Sequence, residues 1–290
     1  MGSQMKSNII ISGLPRSGST LLGNLIGSGN KVEYFFEPPL ISPLLSLIDE
    51  LSSDSFKMIY DYYIKNELIL SSIAGRRLNF NTNDDSHIYR YKTKDEINVR
   101  LNKSWRASEL NQLLDQYSIA FKTPGISNNL LKLQSYYPNW KMVIIFRKYE
   151  DILKSIIVKG WFDDTNPNII TTYKLFGESR VPNSIPNFWE IRWKNLSVEE
   201  RAMIYINEQF SSLRTIDNYI RVDYEKLVND PNTHLNILFN ELGVSQTNKT
   251  EDLIASIYQK PDNNLNLSLP KGIDFEIKEE AKSHKDYFNI

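Results

Sequence analysis

Residues 9–38 read IIISGLPRSGSTLLGNLIGSGNKVEYFFEP, and this stretch decides the fold. Ile9, Ile10 and Ile11 are a β-branched apolar run of the kind that makes a buried strand. The run stops at a loop holding Gly13, Pro15 and Gly18. A helical pattern follows at once through Leu21, Leu22, Leu25 and Ile26. Strand, short glycine loop and helix N-terminus gather backbone N–H groups around one point, where the helix dipole favours an anion. The stretch predicts a phosphoryl or sulfuryl ligand at the edge of a parallel sheet.

The loop differs from the common nucleotide-triphosphatase form, G-x-x-x-x-G-K-[ST], in which Lys contacts the terminal phosphates and a hydroxyl holds magnesium. Here Ser19 stands where that Lys would be, and Arg16 lies three residues upstream. Arginine is a planar fork suited to a bidentate grip on phosphate or sulfate oxygens. The plainer reading is a glycine turn with an exposed arginine.

PRSGSTLL followed by Glu37-Pro38 resembles the 5′-phosphosulfate loop of sulfotransferases that use 3′-phosphoadenosine 5′-phosphosulfate (PAPS) as donor. Arg16 in place of the cytosolic branch's Lys, with VEYFFEPP after it, is similar to the Golgi carbohydrate and tyrosylprotein branches. The resemblance implies that Pro15, Arg16, Ser17, Gly18, Ser19 and Thr20 hold the 5′-phosphosulfate. A second segment, WKMVIIFRKYEDILKSIIVKGW over 140–161, resembles the family's 3′-phosphate site. Arg147 ends a strand there and Ser155 lies on the next helix. Tyr149 replaces the proline of the usual Arg-x-Pro. A third, YIRVDYEKLVNDPNTHLNILFNELGV over 219–244, resembles the late strand and closing helix, with Tyr224 beside the donor pocket or in the core. Glu37 matches the family's acidic base, and Lys122 its charge-stabilising lysine. The plainer reading of Glu37 is a capping or salt-bridging carboxylate before Pro38-Pro39.

The layout supports one site independently. Strands are predicted near 8–12, 32–36, 117–122, 141–146 and 219–223, with helical patterns over 40–70, 94–116, 127–136, 150–158 and 197–213. Alternating strands and helices predict an α/β, P-loop-type three-layer fold: a central parallel sheet of about five strands flanked by helices. Sites of such sheets lie at the strand carboxyl ends. Arg16, Glu37, Lys122 and Arg147 all fall there.

Composition narrows the function. The 290 residues carry 41% hydrophobic residues, enough for one domain with a sizeable core, and residues 1–290 are read as a single domain. A formal net charge of −1 gives no broad basic field for nucleic acid or an anionic membrane. With no cysteine there is no disulfide or thiol nucleophile. No apolar run approaches the ~18 residues of a membrane span, and no signal-peptide core is present. The expectation is a soluble cytoplasmic protein, with residues 1–4 a vector-derived leader and Met5 the native start. His87, His234 and His284 sit in no nucleophile motif.

Residues 159–196 are dense in Asn, Pro and aromatics, and are expected to form an acceptor lid or a packed excursion. The tail could close over the donor, with Ser268 and Lys271 as candidates. The resulting expectation is a metal-independent enzyme that moves a sulfonate from PAPS to an acceptor hydroxyl. The acceptor is a small molecule or glycan, a carbohydrate first, with tyrosine or another phenol or alcohol as the alternative. A P-loop kinase or a non-catalytic nucleotide-binding protein is the more distant alternative.

Overall fold

The computed structural model describes residues 8–123, 125, 129–166, 173–177, 179–257 and 272–290. The leader residues and the candidates Ser268 and Lys271 lie outside them. Among the described residues there are seven strands: β1 Ile9–Gly13, β2 Val32–Phe35, β3 Ser118–Lys122, β4 Lys141–Phe146, β5 Tyr173–Phe176, β6 Ser179–Pro182 and β7 Ile220–Asp223. Five make one sheet in the order β2-β3-β1-β4-β7, with every pairing parallel. The chain starts at the centre, builds outward to β2 and β3, then crosses to β4 and β7. The reversal of direction falls at β1, where ligands bind open α/β sheets.

Both faces are covered, which is why the central strands are apolar throughout rather than alternating. Ile9, Ile11, Ala120, Val143 and Ile145 face helix α1 (Ser19–Gly27) and the later helices α5 (Pro231–Leu242) and Asn248–Ile257. Ile10, Ile119, Phe121, Ile144 and Phe146 face α3 (Tyr149–Val158), α4 (Val198–Leu213) and α6 (Phe275–Phe288). Asp230 caps α5 through Thr233 N, Pro231 opens it, and Gly243 ends it at φ 70°.

Three features depart from the sequence reading. The predicted 40–70 helix is Ile41–Ser46, a turn, then Ser53–Tyr62 continuing as a π-helix over Tyr63–Leu70. The 94–116 pattern breaks into α2 (Lys94–Asn102) and Ala107–Leu114. The tail is an ordered helix, α6, packed along α4. Asn207 Nδ2 donates to Ile277 O at 3.2 Å, and Arg214 donates to Ser283 O at 2.8 Å. Glu208 stands beside this seam, and burial together with Glu280 raises its pKa to about 7.

The edge strand β2 carries a buried ionic cluster. Arg100 of α2 holds Glu33 in a bidentate pair at 2.9 and 2.6 Å, and Ser72 Oγ donates to the same carboxylate at 2.6 Å. Lys92 Nζ lies 3.8 Å from Glu33 and donates to Val32 O at 2.7 Å, which covers the strand's open side. Burial alone would raise the Glu33 pKa. Arg100 and Lys92 outweigh it and hold the group below the ordinary carboxylate value.

Candidate active site

The first strand ends in a loop whose backbone is set for an anion. Gly18 precedes α1 at φ 100°, a conformation open to glycine, and no side chain caps the helix, so its first-turn N–H groups face the loop. A Cβ on Gly18 would stand 2.5 and 2.7 Å from the Tyr224 ring, so that ring lies directly over the loop. Arg16 also adopts positive φ, 71°, which turns its side chain out of the loop while Ser17 stays buried. Pro15 is half-buried and Ser19 buried.

The expected site residues are brought together as one chain of contacts. Arg16 Nε donates to Ser155 Oγ at 2.9 Å. Arg147 donates to Arg16 O at 3.1 Å, and its guanidinium lies 4.6 Å from the Tyr224 ring centroid. On the other side of the loop, Lys122 Nζ lies 3.4 Å from Thr20 Oγ1 and 2.5 Å from Glu37 Oε1. Ser155 and Arg16, expected at opposite ends of the donor, are in direct contact, so the two anion subsites adjoin. Glu37 is held at φ 44°, a left-handed conformation that is rare before proline.

Of the buried side-chain polar atoms without a protein partner among the described residues, two belong to this site: Ser17 Oγ and Arg147 Nε. Both sit where the fold converges on the loop, and buried donors of this kind are ordinarily satisfied. They fit the oxygens of a phosphorylated or sulfated ligand.

Sequence reasoning passed over several supporting residues. Phe36 lies under Lys122, its ring centroid 4.3 Å from Nζ. Glu225 accepts from Lys148 N at 2.9 Å and steadies the turn after Arg147. Ser12 Oγ donates to Gly125 O at 2.9 Å and accepts from Thr123 Oγ1 at 3.2 Å, which ties the ends of β1 and β3 together. A Cβ on Gly125 would meet Gln209 Oε1 at 2.8 Å, so α4 passes beside the end of β3. Phe36 could have been found from its position next to Glu37. The others depend on contacts between distant segments.

Helix α4 runs downward toward the start of β7, so its first turns rise beyond the carboxyl edge of the sheet. From Gln209 back to Arg201 is about 12 Å at helical rise. There Arg201 donates to the carbonyls of Trp193 and Phe162 and pairs with Asp164 at 2.8 Å. That grip ties Phe162, Asp164 and Trp193 to the first turn of α4. Phe162, Trp189 and Trp193 are buried core, while Tyr173, Phe176 and Phe188 are exposed. The segment is therefore a packed excursion in part, with a separate exposed aromatic set.

A model of the sulfotransferase family matches residues 8–248, and the chain belongs to that family. No curated protein matches it. Among solved structures, the chain is similar to the sulfotransferase domain of the Synechococcus PCC 7002 olefin synthase. Identity is 15%, coverage 97% of this chain and 96% of that one, and the TM-score 0.48. It is also similar to the sulfotransferase domain of the curacin biosynthetic pathway, at 12% identity, 97% and 98% coverage and TM-score 0.47. The sulfotransferase STF9 of Mycobacterium avium aligns at 14% identity over 99% and 78% of the two chains, with TM-score 0.47.

Proposed function

We propose that this sulfotransferase uses PAPS as donor and transfers its sulfonate to a hydroxyl, that of a carbohydrate. The carrying observation is the run Glu37–Lys122–Thr20, which sets a carboxylate and an ammonium beside the first turn of α1. In this reading the acceptor oxygen attacks sulfur, and the bond from sulfur to the 5′-phosphate oxygen breaks with its electron pair leaving on that oxygen. Glu37 takes the hydroxyl proton. Lys122 and Arg16 stabilise charge on the sulfonate and the bridging oxygen. Pro15 to Thr20 cradle the 5′ end, Arg147 and Ser155 serve the 3′-phosphate, and Tyr224 lines the donor pocket. Arginine, lysine and backbone donors take the part that magnesium plays in phosphoryl transfer.

Residues 1–290 would act as one domain, with the 159–196 segment over the acceptor. Its exposed Tyr173, Phe176 and Phe188 offer apolar faces to a sugar ring. A chain without cysteine suits a reducing compartment, and we place the reaction in the cytoplasm. No helix among the described residues is long and apolar enough to cross a membrane.

The test is acceptor-dependent release of adenosine 3′,5′-bisphosphate (PAP) from PAPS across saccharides, tyrosine peptides and simple phenols. Glu37→Gln should lower turnover by about 10²–10⁴-fold, the usual weight of general base catalysis, with PAP affinity nearly unchanged. Efficient reaction with phenols and none with any sugar would overturn the carbohydrate acceptor and leave sulfonate transfer standing. Failure to bind PAP would overturn the donor.

A further inference from the structure

Lys122 has two neighbours with different tasks. Its ammonium donates to Glu37 Oε1 at 2.5 Å and lies 3.4 Å from Thr20 Oγ1 on the first turn of α1. The side chain is only 10% exposed and rests on the Phe36 ring, so few other positions are open to it. Glu37 is 35% exposed and fixed by its left-handed backbone and the prolines that follow. Lys122 Nζ already lies 3.4 Å from Thr20 Oγ1, so a small turn of the ammonium is enough to change partner while the Glu37 backbone stays in place.

A base must have an oxygen open to the incoming proton. While Oε1 accepts from the ammonium, that oxygen is engaged, and only the other carboxylate oxygen is open to a proton. Resting on the donor reading above, we infer that the sulfonate of the donor is what frees Glu37. A sulfonate over Thr20 places new anionic oxygens on the loop side of Lys122. The ammonium then transfers its hydrogen bond from Glu37 to the sulfonate, by a rotation of its own flexible stem. No covalent bond changes and no proton is lost in this step. Glu37 is released at the moment sulfur is in position, so base and electrophile are assembled together. PAP has no sulfonate and leaves the pair closed. The device ties the freeing of Glu37 Oε1 to a charged donor, and the pair closes again once the sulfonate has gone.

The experiment is nuclear magnetic resonance of the lysine ammonium groups in the full chain, with ¹⁵N-lysine and ¹³C-glutamate labels. It reads the correlation across the hydrogen bond from Lys122 Nζ to the Glu37 carboxyl carbon. Glu37→Gln assigns the signal by removing it. The correlation should be present in the protein alone and persist with saturating PAP. With saturating PAPS it should fall by about fivefold or more, which requires a matching differential affinity of the donor for the open pair. Calorimetry run in parallel separates the two levels of the reading. PAPS that binds without weakening the correlation overturns the release of Glu37 and leaves the donor assignment intact. PAPS that does not bind overturns both. A correlation missing from the protein alone, or lost equally with PAP, also overturns the inference.

Discussion

Arg147→Ala offers a quantitative test of the donor site. In the structure Arg147 makes one hydrogen bond, an exposed one to the neutral carbonyl Arg16 O at 3.1 Å, stacks on Tyr224, and keeps Nε buried without a partner. The bond to Arg16 O steadies the loop, and its loss should cost about 1 kcal/mol, roughly fivefold in affinity, for any ligand of the loop. The guanidinium's grip on a 3′-phosphate is charge-assisted, at about 1.5–3 kcal/mol per hydrogen bond. One strong bond or two weaker ones give about 3 kcal/mol, or roughly 150-fold. Calorimetry should be run on wild type and variant with PAP and with adenosine 5′-phosphate, which lacks the 3′ group. The four values close a cycle that isolates the 3′-phosphate contribution. The expected coupling is about 2–3 kcal/mol at low salt, shrinking as salt screens it. Equal losses for both ligands would refute the 3′-phosphate role and leave Arg147 as a brace for the loop.

Gly18→Ala should lower both the melting temperature and PAP affinity. Its backbone conformation costs a substituted residue about 1–2 kcal/mol, and the new methyl displaces Tyr224. Calorimetry with both values unchanged would contradict the packing described. Glu208→Gln should stabilise the protein at alkaline pH. Native Glu208 keeps its proton up to about pH 7, whereas the unfolded carboxyl loses it near 4.5. Its favourable contribution is therefore complete below about 4.5 and is lost as pH rises through 7. Allowing for solvent around a half-buried group, the gain should be roughly 1 kcal/mol at pH 8 and nil at pH 4, read from thermal melts at the two values. Arg100→Met removes the bidentate partner of buried Glu33 and leaves it only Ser72 and the more distant Lys92, and should cost about 3 kcal/mol in urea unfolding, with Glu33→Gln added to it recovering a large part. A cost below about 1 kcal/mol would show that the cluster is not coupled to folding.

The sheet was largely legible because its strands are short apolar runs broken by Gly, Pro or charge. Ile9–Gly13, Lys141–Phe146 and Ile220–Asp223 lie within a residue of the expected bounds. The loop was legible because glycine, arginine and hydroxyl residues stand at fixed spacing there. What escaped was whatever depends on partners far along the chain. Glu33 is buried, and its burial is made tolerable by Ser72, Lys92 and Arg100, which lie 39 to 67 residues further along the chain. The hairpin of β5 and β6 lies within a stretch read as a loop, since four-residue strands rich in charge carry little periodicity. Helix α6 was hidden by the reverse problem. Its sequence is charged, and its apolar positions, Ile277, Ala281, His284 and Phe288, acquire meaning only against α4. The donor side of the site is local in sequence and the acceptor side is not, so the first could be read in more detail.

Arg16 and Glu37 both sit in left-handed backbone that glycine or asparagine would occupy with less strain. Each carries about 1–2 kcal/mol of conformational cost, held in place by the surrounding loop and prolines. A laboratory selection for heat resistance alone would find Arg16 early, and its replacement by glycine should register as an improvement, whereas glycine at 37 would leave the buried Lys122 ammonium without its carboxylate. Such a selection would discard the arginine while the sheet beneath it remained intact. Screens that rank variants of this chain by melting temperature would then reward the loss of its chemistry, and a useful stabilising programme must hold residues 16 and 37 fixed from the outset.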